Sequence, residues 1–194
     1  MTPKLQEYLN SSLREIEKLW SMGTSVDQVR LIRLVERAIE VLEKGNKIAF
    51  AGNGGSAAEA SHLAAEFTGK CLVDHRPWRA ICLNESTTSI TAIGNDYGFD
   101  DILLRQSQAL MDQEDLLIAL STSGKSKNVQ KLVRDATSRG IYTILWTGEA
   151  YDISLNPCNA MEVWKVQSKT TSRIQEVHLF WGHLLAELIE QSHV

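Results

Sequence analysis

Residues 47–58, KIAFAGNGGSAA, decide how the rest of the chain is read. A short apolar run, Lys47–Phe50, passes into Ala51-Gly52-Asn53-Gly54-Gly55 and then into helical patterning over 56–69. A buried strand followed by a glycine turn and a helix opens a βα unit. Glycines let the backbone turn tightly and approach a ligand closely. Ser56 stands where a helix N-cap is expected, and the free N–H groups of the first turn favour an anion. The spacing is neither GxGxxG nor a Walker loop ending in GK[ST], so no nucleotide signature is present. The plain alternative is a tight turn capped by serine.

Outward from this segment the pattern repeats. Apolar runs at Arg79–Leu83, Leu116–Leu120, Tyr142–Trp146 and Glu162–Val166 alternate with helical patterns over 99–111, 126–138 and 173–191. Five strands alternating with helices predict an α/β fold with a mostly parallel sheet covered on both faces. Two amphipathic helices precede the first strand. Residues 4–21 carry Leu5, Leu9, Leu13, Ile16, Leu19 and Trp20 at three- and four-residue intervals; residues 26–44 end at Gly45-Asn46. Part of their apolar surface is expected to face another subunit.

In such sheets ligands bind beyond the C-terminal ends of strands, near the switch in strand order. The third strand ends in Leu120-Ser121-Thr122-Ser123-Gly124-Lys125-Ser126 and also enters a helix. Short neutral hydroxyls beside a helix N-terminus are what a phosphate group requires. Four hydroxyl residues within six positions exceed what a cap alone needs. Lys125 either adds charge or points to solvent. Two such loops on one sheet edge make a phosphorylated small molecule the leading ligand class.

On the helix after the glycine loop, His62 and Glu66 are four residues apart and share one face. On the last helix, Gln175 and His183 are about 80° apart around the axis. Each helix thus offers a pair of N/O ligands between which a divalent metal fits, and His, His and Glu suit zinc. Gln is an unusual ligand that periodicity alone does not nominate. From spacing alone a surface pair at His62 and Glu66 stands ahead of a metal site. His178 points away from His183, and His75 and His193 are unassigned.

The chain has 194 residues, 43% hydrophobic and 23% charged, which fits a single folded domain spanning 1–194. A net charge of −4 and scattered basic residues disfavour nucleic-acid binding. Cys71, Cys82 and Cys158 lack CxxC spacing, so neither a disulfide framework nor a thiolate zinc site is expected. The charged N-terminus is unlike a signal peptide and no window is apolar enough to span a bilayer, so no membrane partner and a cytoplasmic location are expected.

The strings AGNGGSAAEASHLAAEFTGK, TAIGNDYGFD, LSTSGKS and RIQEVHLFWGH resemble, in the same order, those of bacterial phosphoheptose isomerases. That resemblance implies a sugar-isomerase (SIS) domain that assembles as a homotetramer with active sites between subunits. It implies conversion of D-sedoheptulose 7-phosphate to D-glycero-D-manno-heptose 7-phosphate, the first step towards activated heptose. By the same resemblance one Zn2+ per subunit is held by His62, Glu66, Gln175 and His183. The phosphate lies at Ser56, Ser121, Thr122, Ser123 and Ser126, with Gly54 and Gly55 beside it. Asn53 and Asp96 contact the sugar chain, Glu66 serves as base on carbon and His183 as acid on oxygen.

The chain departs from the family pattern at Ser172, often acidic, at Lys70, often arginine, and at the usually glycine-rich loop 149–160. These departures bear on sugar specificity and keep another phosphosugar in play. A non-enzymatic relative that binds a replication initiator is expected to lack the metal residues, and all four are present.

Overall fold

The structure, a computed structural model, describes residues 2–21, 27–154 and 159–192. Helices α1 (Pro3–Ser21) and α2 (Gln28–Glu43) precede β1 (Ile48–Ala51), α3 (Gly55–Thr68) and β2 (Ala80–Cys82). Then come α4 (Thr87–Asp96), a 3-10 turn (Phe99–Asp101), α5 (Ile102–Leu110), β3 (Leu116–Leu120) and α6 (Lys127–Ser138). The chain closes with β4 (Tyr142–Gly148), β5 (Glu162–Val166) and α7 (Thr171–Ser192). Asp27 caps α2 by accepting from the N–H groups of Val29 and Arg30, and Gly45, at φ 79°, ends it.

The five strands pair in the order β2-β1-β3-β4-β5, every pair parallel. The expected α/β architecture stands, and the sheet is wholly parallel. Its two faces follow from strand alternation. Ile48, Phe50, Leu116, Ile118, Leu120, Ile144 and Trp146 pack towards α2, α3 and α7, while Ala49, Ala51, Leu117, Ala119 and Leu145 pack towards α5 and α6. At the other end of the sheet, buried Lys47 donates to Asp115 at 2.7 Å and Asp112 at 3.0 Å. Strand order reverses between β1 and β3, so the ligand crevice belongs beyond their C-terminal ends. Both candidate loops emerge there.

Two readings need correction. Helix α4 departs from the expected pattern: it has no fully buried residue, and the partly buried pair Ile90 and Ile93 is too short a core-facing stripe to mark TTSITAIGND as helical. The helix after β1 begins at Gly55 with Gly54, at φ 56°, as its cap, so Ser56 lies in the first turn rather than at the N-cap. A glycine with positive φ closes this turn without a side-chain acceptor. Val26, Cys158 and His193 lie outside the described residues.

Candidate active site and metal cluster

The glycine loop is held from two sides. Gly52 N–H donates to Asn84 Oδ1 at 3.1 Å, and Asn84 Nδ2 donates back to the Gly52 carbonyl at 2.9 Å. A Cβ at Gly52 would stand 2.6 Å from the Ser56 backbone, so the turn is this tight only with glycine. Asn53 and Asn128 exchange two side-chain hydrogen bonds of 2.8 Å, which tie the glycine loop to the first turn of α6. Asn128 is buried and carries no mark in the sequence.

The second loop follows β3. Ser121 N–H donates to the Trp146 carbonyl at 3.0 Å, and Ser121 Oγ donates to Ser126 Oγ at 3.4 Å. Ser126 caps α6 by position without a side-chain capping bond, which leaves its hydroxyl for a ligand. Together the loops enclose a cavity of about 160 Å3 lined by Asn53, Gly55, Ser56, Ser121, Thr122 and Ser126, with Gln175 and Thr171 from α7. A Cβ on Gly55 would meet Gln175 Nε2 at 2.2 Å, so α7 presses its amide directly on the glycine loop. Gly54 and Ser123 lie outside this lining, and Ser123 Oγ accepts from the Lys125 N–H at 3.2 Å. Lys125 is exposed. Asp96 is exposed at the end of α4, where Asn95 Nδ2 donates to it at 2.8 Å.

The two ligand-bearing helices meet. His62 Nε2 lies 2.9 Å from His183 Nε2 and 3.1 Å from Glu66 Oε1. The ligand atoms of all three residues lie within 4.8 Å of one another. Helices can approach this closely because Gly182 has no side chain: its Cβ would stand 2.1 Å from Leu63 Cδ2. Two nitrogens bound to one tetrahedral zinc at about 2.0–2.1 Å lie roughly 3.3 Å apart. The observed spacing is a few tenths of an ångström from that, and two imidazole nitrogens with one carboxylate oxygen are zinc-type donors. The residues therefore fit a zinc ion. The i,i+4 pair on α3 is not a mere surface pair, because the partner helix brings a second imidazole to it.

Other groups near the site escaped the sequence reading. Glu59 is buried, with both carboxylate oxygens lacking a partner in hydrogen-bond geometry. Burial pushes its pKa up to about 7, an effect the nearby Ser56 hydroxyl partly offsets. Cys71 stands beside Glu66, and burial together with that carboxylate pushes its thiol up to about 12, so it stays protonated. Glu190, buried near the end of α7, accepts from the N–H groups of Cys71, Leu72 and Val73 at 2.7, 2.8 and 2.9 Å. Although burial opposes it, these bonds and His75 hold the Glu190 carboxyl below its ordinary value. His178 is buried against Trp146 and Trp181, with its pKa lowered to about 3 by burial, a core residue away from the cluster as expected.

Comparison with known proteins agrees with this geometry. The SIS domain family matches residues 12–148. The phosphoheptose isomerase of Clostridium acetobutylicum is 36% identical over 187 residues, 96% of this chain and 93% of the relative. That of a Nitratiruptor species is 44% identical over 154 residues, 79% of this chain and 81% of the relative. The structure of the Neisseria gonorrhoeae phosphoheptose isomerase superposes with a TM-score of 0.84 at 34% identity, covering 95% of this chain and 99% of that one. With a family match over most of its length and a full-length relative above 30% identity, the chain belongs to the phosphoheptose isomerase family of SIS-domain proteins.

Proposed function

We propose that this protein isomerises D-sedoheptulose 7-phosphate to D-glycero-D-manno-heptose 7-phosphate, with zinc at His62, Glu66 and His183 and with Gln175 as a fourth ligand. The observation that carries this reading is the meeting of His62, Glu66 and His183 on α3 and α7, the two helices whose first turns also line the hydroxyl-bearing cavity, in a chain of this family. The phosphate group is bound by Ser56, Ser121, Thr122, Ser123 and Ser126 together with the first-turn N–H groups of α3 and α6. Gly54 and Gly55 leave room for it. Asn53 and Asp96 hold the sugar hydroxyls.

The ketose–aldose conversion moves one proton from C1 to C2 and one between the two oxygens through a cis-enediol. Glu66 takes the C1 proton and returns it to C2, while His183 gives a proton to the C2 oxygen and accepts one from the C1 oxygen. Each such group contributes on the order of 10²–10⁴-fold. Zinc bound here supplies Lewis acidity that stabilises charge on those oxygens, worth several kcal/mol. Glu66 and His183 would also hold the zinc, and a carboxylate or imidazole so engaged would be less basic than a free one. In D2O the heptose product is expected to carry deuterium at C2, read by NMR; product without any C2 deuterium would exclude exchange at a solvent-accessible base.

We also infer a homotetramer, working in the cytoplasm. Helix α1 buries only Leu19, and Leu5, Tyr8, Leu9, Leu13, Val29 and Ile32 remain exposed on the two N-terminal helices, which suits a subunit interface. Free Cys71 and Cys82 agree with a reducing compartment.

A second reading rests on the 149–154 segment, where Tyr151 and its neighbours replace the expected glycine-rich stretch: the same chemistry on another phosphosugar. A panel of phosphosugars separates the two by relative kcat/KM.

A further inference from the structure

Tyr151 lies just past β4 and is 1% exposed. Its ring fills the space beside Gly124, where a Cβ would stand 2.2 Å from Tyr151 Cδ2, 2.7 Å from Cγ and 2.8 Å from Cε2. Gly124 sits in the middle of the 121–126 loop at φ +65°, a conformation that glycine adopts readily and leaves readily. Something outside the glycine must therefore fix it.

The ring is well placed to do so, because its own backbone is held. Lys165 Nζ donates to the Tyr151 carbonyl at 2.7 Å and lies 5.7 Å from the ring centroid. Tyr151 N–H donates to the Gly148 carbonyl at 3.2 Å, and Gly148 N–H donates to the Thr122 carbonyl at 3.0 Å. On the far side, Gln130 Nε2 donates to the Gly124 carbonyl at 2.8 Å. Tyr151 does not line the anion cavity. Its influence on a ligand must pass through the loop.

We propose that Tyr151 is a positioning residue for the phosphate group: its ring locks the 121–126 loop in the conformation that presents Ser121, Thr122 and Ser126 to the ligand. This inference rests on the reading of that loop as the phosphate site. Since Tyr151 lies outside the cavity lining and packs on the sheet face opposite α3 and α7, it sets KM and leaves kcat alone. If removing the ring lowers the competent loop population to about one tenth, apparent phosphate affinity falls about tenfold.

The test compares full-length wild type, Tyr151→Phe and Tyr151→Ala, each zinc-loaded and checked for fold by circular dichroism. Calorimetric titration with inorganic phosphate is read beside KM and kcat for sedoheptulose 7-phosphate. Tyr151→Ala is expected to weaken phosphate binding and raise KM by the same factor, about tenfold, with kcat within about twofold. Tyr151→Phe keeps the ring and is expected to lose less phosphate affinity than Tyr151→Ala. Gly124→Ala is expected to harm phosphate binding less in the Tyr151→Ala background than in wild type, since its Cβ then meets no ring.

Unchanged phosphate affinity in Tyr151→Ala, or a fall in kcat at constant KM, overturns the proposal. If Tyr151→Ala does not fold, Tyr151→Leu replaces it, with an intermediate loss expected and no loss contradicting. Wild type that binds phosphate without isomerising the sugar would defeat the proposed reaction only, and the phosphate comparison would still decide the role of Tyr151. Wild type that binds no phosphate at millimolar concentration would overturn both.

Discussion

Gly182→Ala is the substitution that most directly probes why α3 and α7 meet. The added Cβ would lie 2.1 Å from Leu63 Cδ2, 2.5 Å from Cδ1 and 2.8 Å from Cγ. Ordinary contact begins at 3.4 Å, so one side must yield by about 1.3 Å. Leu63 is fully buried and has nowhere to swing, which leaves separation of the helices. Overpacking of this kind costs about 1–3 kcal/mol, against at most about 1 kcal/mol gained from alanine's better helix propensity. Sterics win, and the melting temperature falls by several degrees, at roughly 2–4 °C per kcal/mol for a chain of this size.

The larger effect is on metal. Residues 62 and 183 flank the contact, and ligand distances tolerate only about 0.2 Å of error. Zinc affinity is therefore expected to fall at least tenfold, within the range seen when ligand support is lost. Competition titration with a chromophoric chelator measures this, and differential scanning calorimetry follows stability. The compensating Leu63→Ala/Gly182→Ala pair should recover zinc affinity relative to Gly182→Ala while remaining less stable than wild type. Wild-type zinc affinity in Gly182→Ala, or no recovery in the double variant, would refute the steric argument.

Glu66→Gln should lower turnover by about 10²–10⁴-fold while the protein still folds and binds substrate; near-normal turnover would remove Glu66 from the role of base. Glu59 has a folded pKa near 7 against an ordinary 4.5, so its contribution to stability is complete below pH 4.5 and is lost as pH rises through 7. Glu59→Gln should flatten that loss and raise stability at pH 8 by about 1–3 kcal/mol, as read by urea titration at pH 5 and pH 8. Glu190→Gln should destabilise by about 2–4 kcal/mol at neutral pH, because three N–H groups lose a charged acceptor. As the folded pKa of Glu190 is depressed, this gap should be present above pH 4.5 and close as pH falls below it, a trend that acid titration of wild type and variant would expose.

The sheet was legible because strands buried on both faces read as continuous apolar runs, as in IAFA and LLIAL. The helices with a core-facing stripe, such as α6, were legible for the same reason. Helix α4 buries no residue fully and packs only the partly buried Ile90 and Ile93 against the core, too short a stripe to read, and Ser86, whose hydroxyl accepts from the Ser89 N–H, marks its start. Spacing put His62 beside Glu66, but the crossing of α3 on α7 is a tertiary fact that no local pattern encodes. The one trace of it is Gly182 inside a helical run, where glycine is costly unless a neighbour needs the space. Glu59 and Glu190 carry no mark in the sequence, because an amphipathic pattern assigns charge to the outside. The burial of Glu190 is decided by the 71–73 segment, which folds back over the end of α7 and gives it three N–H groups.

Isomerisation of a phosphosugar here is proposed to depend on a metal held by the His62, Glu66 and His183 cluster. The direct test is to strip the protein with a chelator, add sedoheptulose 7-phosphate, and follow products by NMR while zinc is restored stepwise. The structure predicts that heptose 7-phosphate formation stops on chelation and returns in proportion to zinc, saturating near one equivalent per chain. Undiminished product formation by metal-free protein, or no product from zinc-replete protein, would contradict it.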